Sequence, residues 1–155
     1  MARALAIALT IGSLLWVAAL FAGAALFGSG VLPSVVYGAA SLVCHQRPER
    51  SFFFADAQFP VCARCAGLYL SGAVGALLAW SSLRAAPQDA RRLLLIAALP
   101  TLATLPIEWL AISPLSNAIR AAAAVPFGAA SGWTFVRALR AEALERSQAS
   151  ASVAL

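Results

Sequence analysis

The chain has 155 residues, of which 62% are hydrophobic and only 11% charged, far from the balance of about half apolar and a quarter charged typical of soluble domains. Its mean hydropathy is +0.85. Eleven basic residues, all arginine, against six acids give a net charge of +5. The arginines sit at the ends of apolar runs and are not gathered on one face among aromatics, which excludes a nucleic-acid binder as well as an ordinary water-soluble domain.

Apolar runs cover about 4–27, 31–44, 61–83, 93–112 and 117–139. A crossing needs about 20 apolar residues to traverse about 30 Å of hydrocarbon, and four of the runs qualify. The run 31–44 has fourteen residues, about 21 Å of helix at 1.5 Å per residue. It reads as a half-helix that does not cross. The first run follows Arg3 and contains Ala22-Gly23-Ala24, which resembles a secretory cleavage site. Its apolar stretch exceeds the about 7–15 residues of a signal core, so it reads as a span.

The predicted fold is therefore all-α: an integral membrane helical bundle of four transmembrane helices plus one short non-crossing or interfacial helix. A single membrane domain covers 1–140, and 141–155 form a cytoplasmic tail. With four crossings, Arg3, Arg84, Arg91, Arg92, Arg137, Arg140 and Arg146 all fall on one side, as the excess of positive charge in cytoplasmic loops requires. A fifth crossing through 31–44 would invert that rule. Both termini are thus expected in the cytoplasm of a multi-pass protein in a bacterial plasma membrane, the Ala-rich, all-Arg usage pointing to a GC-rich genome.

Small residues recur every fourth position at Gly67, Ser71, Gly75 and Ala79, and again at Ala124, Gly128 and Gly132. Such stripes allow close helix approach, and they predict packing within the chain. Pro100, Pro106 and Pro126 lie inside spans, where each removes a backbone donor.

The joint 44–65 stands apart. It holds every cysteine (Cys44, Cys62, Cys65), the only histidine (His45), Gln46, Arg47, Arg50, Arg64 and four phenylalanines. Thiolates and imidazole are preferred ligands of Zn²⁺ and softer transition metals, and Cys44, His45, Cys62 and Cys65 make up a four-coordinate set. Pro60 suits a helix start, which would place Cys62 and Cys65 in the first turn on one face with Tyr69. A helix N-terminus favours the thiolate, which serves a metal ligand and a redox nucleophile equally. Arg47, Arg50 and Arg64 suit lipid phosphate or another anionic ligand. The phenylalanines Phe52, Phe53, Phe54 and Phe59 are expected at the headgroup boundary.

The same topology brings Glu108, Asn117 and Arg120 to the depth of that joint. Ionisable groups within membrane segments are costly and usually face the bundle interior in pairs. A Glu108–Arg120 pair roofed by the Cys/His loop follows, with Tyr69 a further candidate for proton donation.

The segment Cys44-His45-Gln46 with Pro48, Arg50, Ser51 and Phe52, followed by Pro60-Val61-Cys62-Ala63-Arg64-Cys65-Ala66-Gly67-Leu68-Tyr69, resembles the signature of a family of small prokaryotic membrane proteins whose domain has no assigned function. Ser116-Asn117-Ala118-Ile119-Arg120 with Gly128 and Gly132 resembles that family's second motif. The resemblance implies a multi-span membrane protein, carries Cys44, His45, Gln46, Arg50, Cys62, Arg64, Cys65, Tyr69, Asn117 and Arg120 as motif positions, and implies no reaction.

Three functions are compatible with these residues. The first is an outer-face metal site, most simply zinc. The second is a membrane thiol–disulfide oxidoreductase using Cys62 and Cys65, with Cys44 as an exchanging third thiol. The third is a small metal or anion carrier with Glu108 and Arg120 in its path, against which stands the lack of a second intramembrane acid and of an internal repeat. The sequence leaves open whether the site is catalytic, what the substrate is and how many copies assemble.

Overall fold

The computed structural model describes residues 1–28, 30–54, 56–81, 89–110, 112 and 114–153. Arg84, counted above among the inner-face arginines, lies outside them, as do the last two residues of the expected tail. Five helices follow in order: α1 (Ala2–Ala25), α2 (Val31–Ser41), α3 (Ala63–Ser81), α4 (Ala90–Trp109) and α5 (Asn117–Val153). Between α2 and α3 lie a 3₁₀ turn, Pro48–Arg50, and a hairpin of β1 (Ser51–Phe54) and β2 (Ala57–Cys62).

By length and composition, α1, α3 and α4 can each cross a membrane. The region expected as a fourth span falls on α5, whose Ala- and Gly-rich first half dilutes its hydropathy, and α5 is not among those three. It also continues without a break past residue 140, where the tail was expected to begin. The 11 residues of α2 rise only about 16 Å, too little to cross. Gly30 supplies the positive φ of 83° with which the chain turns into this helix.

Where the sequence suggested a loop, 51–54 and 57–62 pair as an antiparallel ribbon with Ser51 opposite Cys62, Phe53 opposite Gln58 and Phe54 opposite Ala57. The run Ser51-Phe-Phe-Phe has the aromatic bias of a strand. Asp56, at φ 63°, occupies the tight connection in the left-handed region that Asp tolerates. Pairing moves the helix start: Cys62 ends β2, and α3 begins at Ala63. Phe52, Phe53 and Phe54 are exposed, whereas Phe59 is buried and meets Phe21 edge-on at 5.2 Å. That inward position departs from the boundary expected for it, because β2 is covered by α1 and α2.

The tightest packing is between α3 and α5. A Cβ at Gly67 would strike the carbonyl of Ala121, one at Gly75 that of Ala129, and one at Gly132 that of Gly72. These pairs advance together along both helices, so α3 and α5 run parallel, backbone against backbone, on the two small-residue stripes. In contrast, α1 and α4 run antiparallel to them. Trp80 Nε1 near the end of α3 donates to Thr10 Oγ1 in α1 (2.9 Å), and Thr101 Oγ1 in α4 donates to Ala123 O in α5 (2.8 Å).

The result is an up-and-down bundle with two distinct ends. Met1, Arg3, Trp80, Arg140 and Arg146 surround a cavity at one end, where Arg140 lies over the Trp80 ring at 4.7 Å. The hairpin caps the other. Between the ends the surface is apolar, with Leu15, Phe21, Leu78, Leu95 and Leu99 all exposed, as suits a lipid solvent.

Candidate metal centre

Three separate elements deliver the thiols. Cys44 is held just beyond α2 by its own N–H, which donates to Ala40 O (3.0 Å). Cys62 ends β2, and Cys65 lies in the first turn of α3. Their sulfurs all fall within 4.8 Å of one another, and none is in a disulfide. A tetrahedral thiolate site with metal–sulfur bonds of about 2.3 Å has sulfur–sulfur edges of about 3.8 Å, so the set needs only modest contraction to fit a metal. The floor beneath is apolar, made by Leu20, Ala24, Val36, Phe59 and Val61. The Cys62 N–H donates to Cys44 Sγ (3.2 Å). A hydrogen bond from the Cys65 thiol holds Cys62 down at about 5, well below an ordinary thiol, despite the opposing effect of burial.

An amide network fixes this arrangement. Gln46, in the left-handed region at φ 47°, donates from Nε2 to Tyr37 O (2.9 Å) and to Pro60 O (2.7 Å), tying α2 to β2 two residues from Cys44 and Cys62 alike. Gln58 Nε2 donates to Gln46 O (2.6 Å) and Ser51 Oγ (3.2 Å), and Ser51 Oγ donates to Arg47 O (2.8 Å). The Tyr37 hydroxyl donates to Gln58 O. Burial pushes the Tyr37 phenol above its usual value.

Beside the thiols, Glu108 near the end of α4 exposes only 6% of its side chain and faces three guanidiniums. Arg120 Nε pairs with Oε1, Arg64 Nη2 lies 3.2 Å from Oε2, and Arg50 Nη1 is 3.9 Å from the same oxygen. Arg64 Nη2 also donates to Thr104 Oγ1 (2.9 Å). Arg120 Nη1 donates to Asn117 Oδ1 (2.7 Å), and Asn117 Nδ2 donates to Ser51 O (2.8 Å), closing the circuit back to the hairpin. Glu108 thereby links α3, α4, α5 and the 3₁₀ turn.

Thiols and guanidiniums open on one cavity of about 410 Å³, lined by Cys44, Cys62, Cys65, Arg47, Arg50, Arg64, Arg120, His45, Val43 and Trp109. Of the residues singled out by sequence, His45 is exposed on this lining and outside the group of converging sulfurs. Tyr69 packs against the same buried cluster as the three thiols, stacks edge-on with Trp16 at 6.0 Å and also lines an apolar groove with Phe21 and Leu70. The sequence reading does not single out Tyr37, Gln58 or Thr104, and has Ser51 only within the motif of the resemblance. Thr104 had a signal, standing one helical turn before Glu108 on the same face. The others work through backbone carbonyls brought near by folding, which residue types do not announce.

A helical bundle with long apolar helices, an apolar waist and its polar cluster confined to one end is a membrane protein in architecture. The chain belongs to the DUF2085 family, described as predicted membrane proteins, whose model matches residues 44–134. It is 46% identical over 43 residues to an uncharacterized protein of Methanocaldococcus jannaschii, covering 28% of each chain. Over 28 residues it is 57% identical to an uncharacterized protein of Methanothermobacter thermautotrophicus, covering 18% of this chain and 25% of that one. The matches span about a quarter of the length of these archaeal relatives. No solved structure matches the chain.

Proposed function

We propose that this is a four-crossing plasma-membrane protein that binds one metal ion, zinc by ligand chemistry, through Cys44, Cys62 and Cys65 on its extracytoplasmic face. The convergence of the three sulfurs within 4.8 Å carries the reading. Three soft donors on an apolar floor suit Zn²⁺ or a thiophilic transition metal and not a hard cation. Bound there, the metal would cross-link α2, the hairpin and α3. His45 shares the cavity and is not required for the tripod.

The fourth crossing is supported by register. Because α5 runs parallel to α3 in backbone contact from Gly67 to Gly75, the two share the same depth. A helix that accompanies a crossing helix along its small-residue stripe crosses with it, even when its own hydropathy is diluted by alanine and glycine. Arg3, Arg91, Arg92, Arg140 and Arg146 then mark the cytoplasmic side.

Metal per chain, measured on protein purified in mild detergent, tests the site. One equivalent in the wild type and a loss in Cys65→Ser supports the reading. No metal above background, with a single free thiol before any chelator is added, overturns it in favour of a Cys62–Cys65 redox pair. A reporter fused after Arg140 that signals outside the cytoplasm overturns the topology.

A further inference from the structure

The cavity beside the thiols carries more positive charge than its counter-ion can match. Arg47, Arg50, Arg64 and Arg120 line it. Their one acidic ion-pair partner among the described residues is Glu108, so four charges against one leave a formal excess of three. Arg64 Nε is buried and has no hydrogen-bond partner among the described residues. Leaving a charged donor buried and unpaired is costly. Gathering four guanidiniums without a ligand is costly too, since like charges at low dielectric repel.

Glu108 also pre-orients the cluster. It holds Arg64 and Arg120 rigid while Arg50, 39% exposed and 3.9 Å away, keeps most of its hydrogen-bonding capacity. Guanidiniums present forked donors that match phosphate and carboxylate oxygens. A formal excess of three is matched better by a phosphate group than by a single carboxylate.

We propose that this cavity binds a phosphate group, with Arg47 and Arg50 as the adjustable contacts and Arg64 and Arg120 as the fixed ones. The site stands on the guanidinium cluster and does not require the thiols to hold metal. The same chemistry is offered by free phosphate and by an anionic lipid headgroup at the membrane surface.

Chelated full-length protein in phosphatidylcholine nanodiscs, titrated calorimetrically with inorganic phosphate, tests it. One equivalent is expected to bind, and the double variant Arg47→Gln, Arg50→Gln to bind roughly tenfold more weakly, as the loss of a charge-assisted hydrogen bond implies. Both side chains are partly exposed, so the variant should keep the wild-type circular dichroism melt. Repeating the titration with phosphatidylglycerol in the disc separates the sources. Weakened phosphate binding assigns the site to a headgroup, and unchanged binding assigns it to free phosphate. Absence of binding by the folded wild type overturns the proposal, as does equal weakening by Arg3→Gln at the opposite end.

Discussion

Arg64 and Glu108, 44 residues apart, meet with Nη2 at 3.2 Å from Oε2 and join the first turn of α3 to the last turn of α4. Arg120 approaches the other carboxylate oxygen from α5. One carboxylate therefore anchors three helices at the end where the thiols assemble.

Replacing it should be costly. Glu108→Gln leaves Arg64 and Arg120 largely buried without a counter-charge, a loss of about 3–5 kcal/mol for one partner of a buried pair. Arg50→Gln, at the exposed edge of the cluster, should cost under about 1 kcal/mol. Thermal unfolding in detergent orders the two, and equal melting temperatures would contradict the anchoring role.

The α3–α5 seam should be intolerant of a single methyl. In Gly75→Ala the new Cβ meets the Ala129 carbonyl, and overpacking of this kind costs about 1–3 kcal/mol. Gly12→Ala in α1, where nothing lies within 4 Å, should be neutral or stabilising by up to about 1 kcal/mol through helix propensity. Parallel melts of the two variants check the contrast.

Tyr37→Phe removes the hydroxyl that donates to Gln58 O and should cost about 1 kcal/mol. The pH dependence has a definite sign. The folded phenol sits above its unfolded value of 10.0, so its contribution is complete below pH 10 and is lost as pH rises through the folded value. Stability measured from pH 8 to 11 should fall in the wild type and flatten in Tyr37→Phe.

Cys44→Ser and Cys62→Ser should each abolish stoichiometric metal, whereas His45→Ala should retain it. Elemental analysis of the purified variants distinguishes a three-sulfur tripod from a site in which the imidazole is indispensable.

Much of this organisation can be read from residue order alone. Apolar runs and arginine-marked joints predict the helical membrane bundle, and the four-residue spacing of Gly67, Ser71 and Gly75 predicts a close helix partner. The spacing of Cys44, Cys62 and Cys65 marks the chemistry. The hairpin is hidden in the sequence because the run Phe52-Phe53-Phe54 and the buried Pro60 break the alternation that usually reveals a half-buried strand. Arg50 and Arg64 joining Glu108 was equally hidden, since only the fold sets separations of 58 and 44 residues to contact distance. The Ala- and Glu-rich composition after residue 140 predicts a helical tail, and α5 runs on into it because Ala, Glu and Arg carry a helix on propensity where hydropathy falls.

Gln46 gives the site a kinetic character. By bonding Tyr37 O and Pro60 O at once, it sets the spacing of Cys44 and Cys62 without a covalent or coordinate bond. Under the proposed function, loading of metal would then be an encounter with a receptor already assembled. The rate should rise linearly with free metal concentration and show no plateau from a slow ordering step, while Gln46→Ala should introduce one.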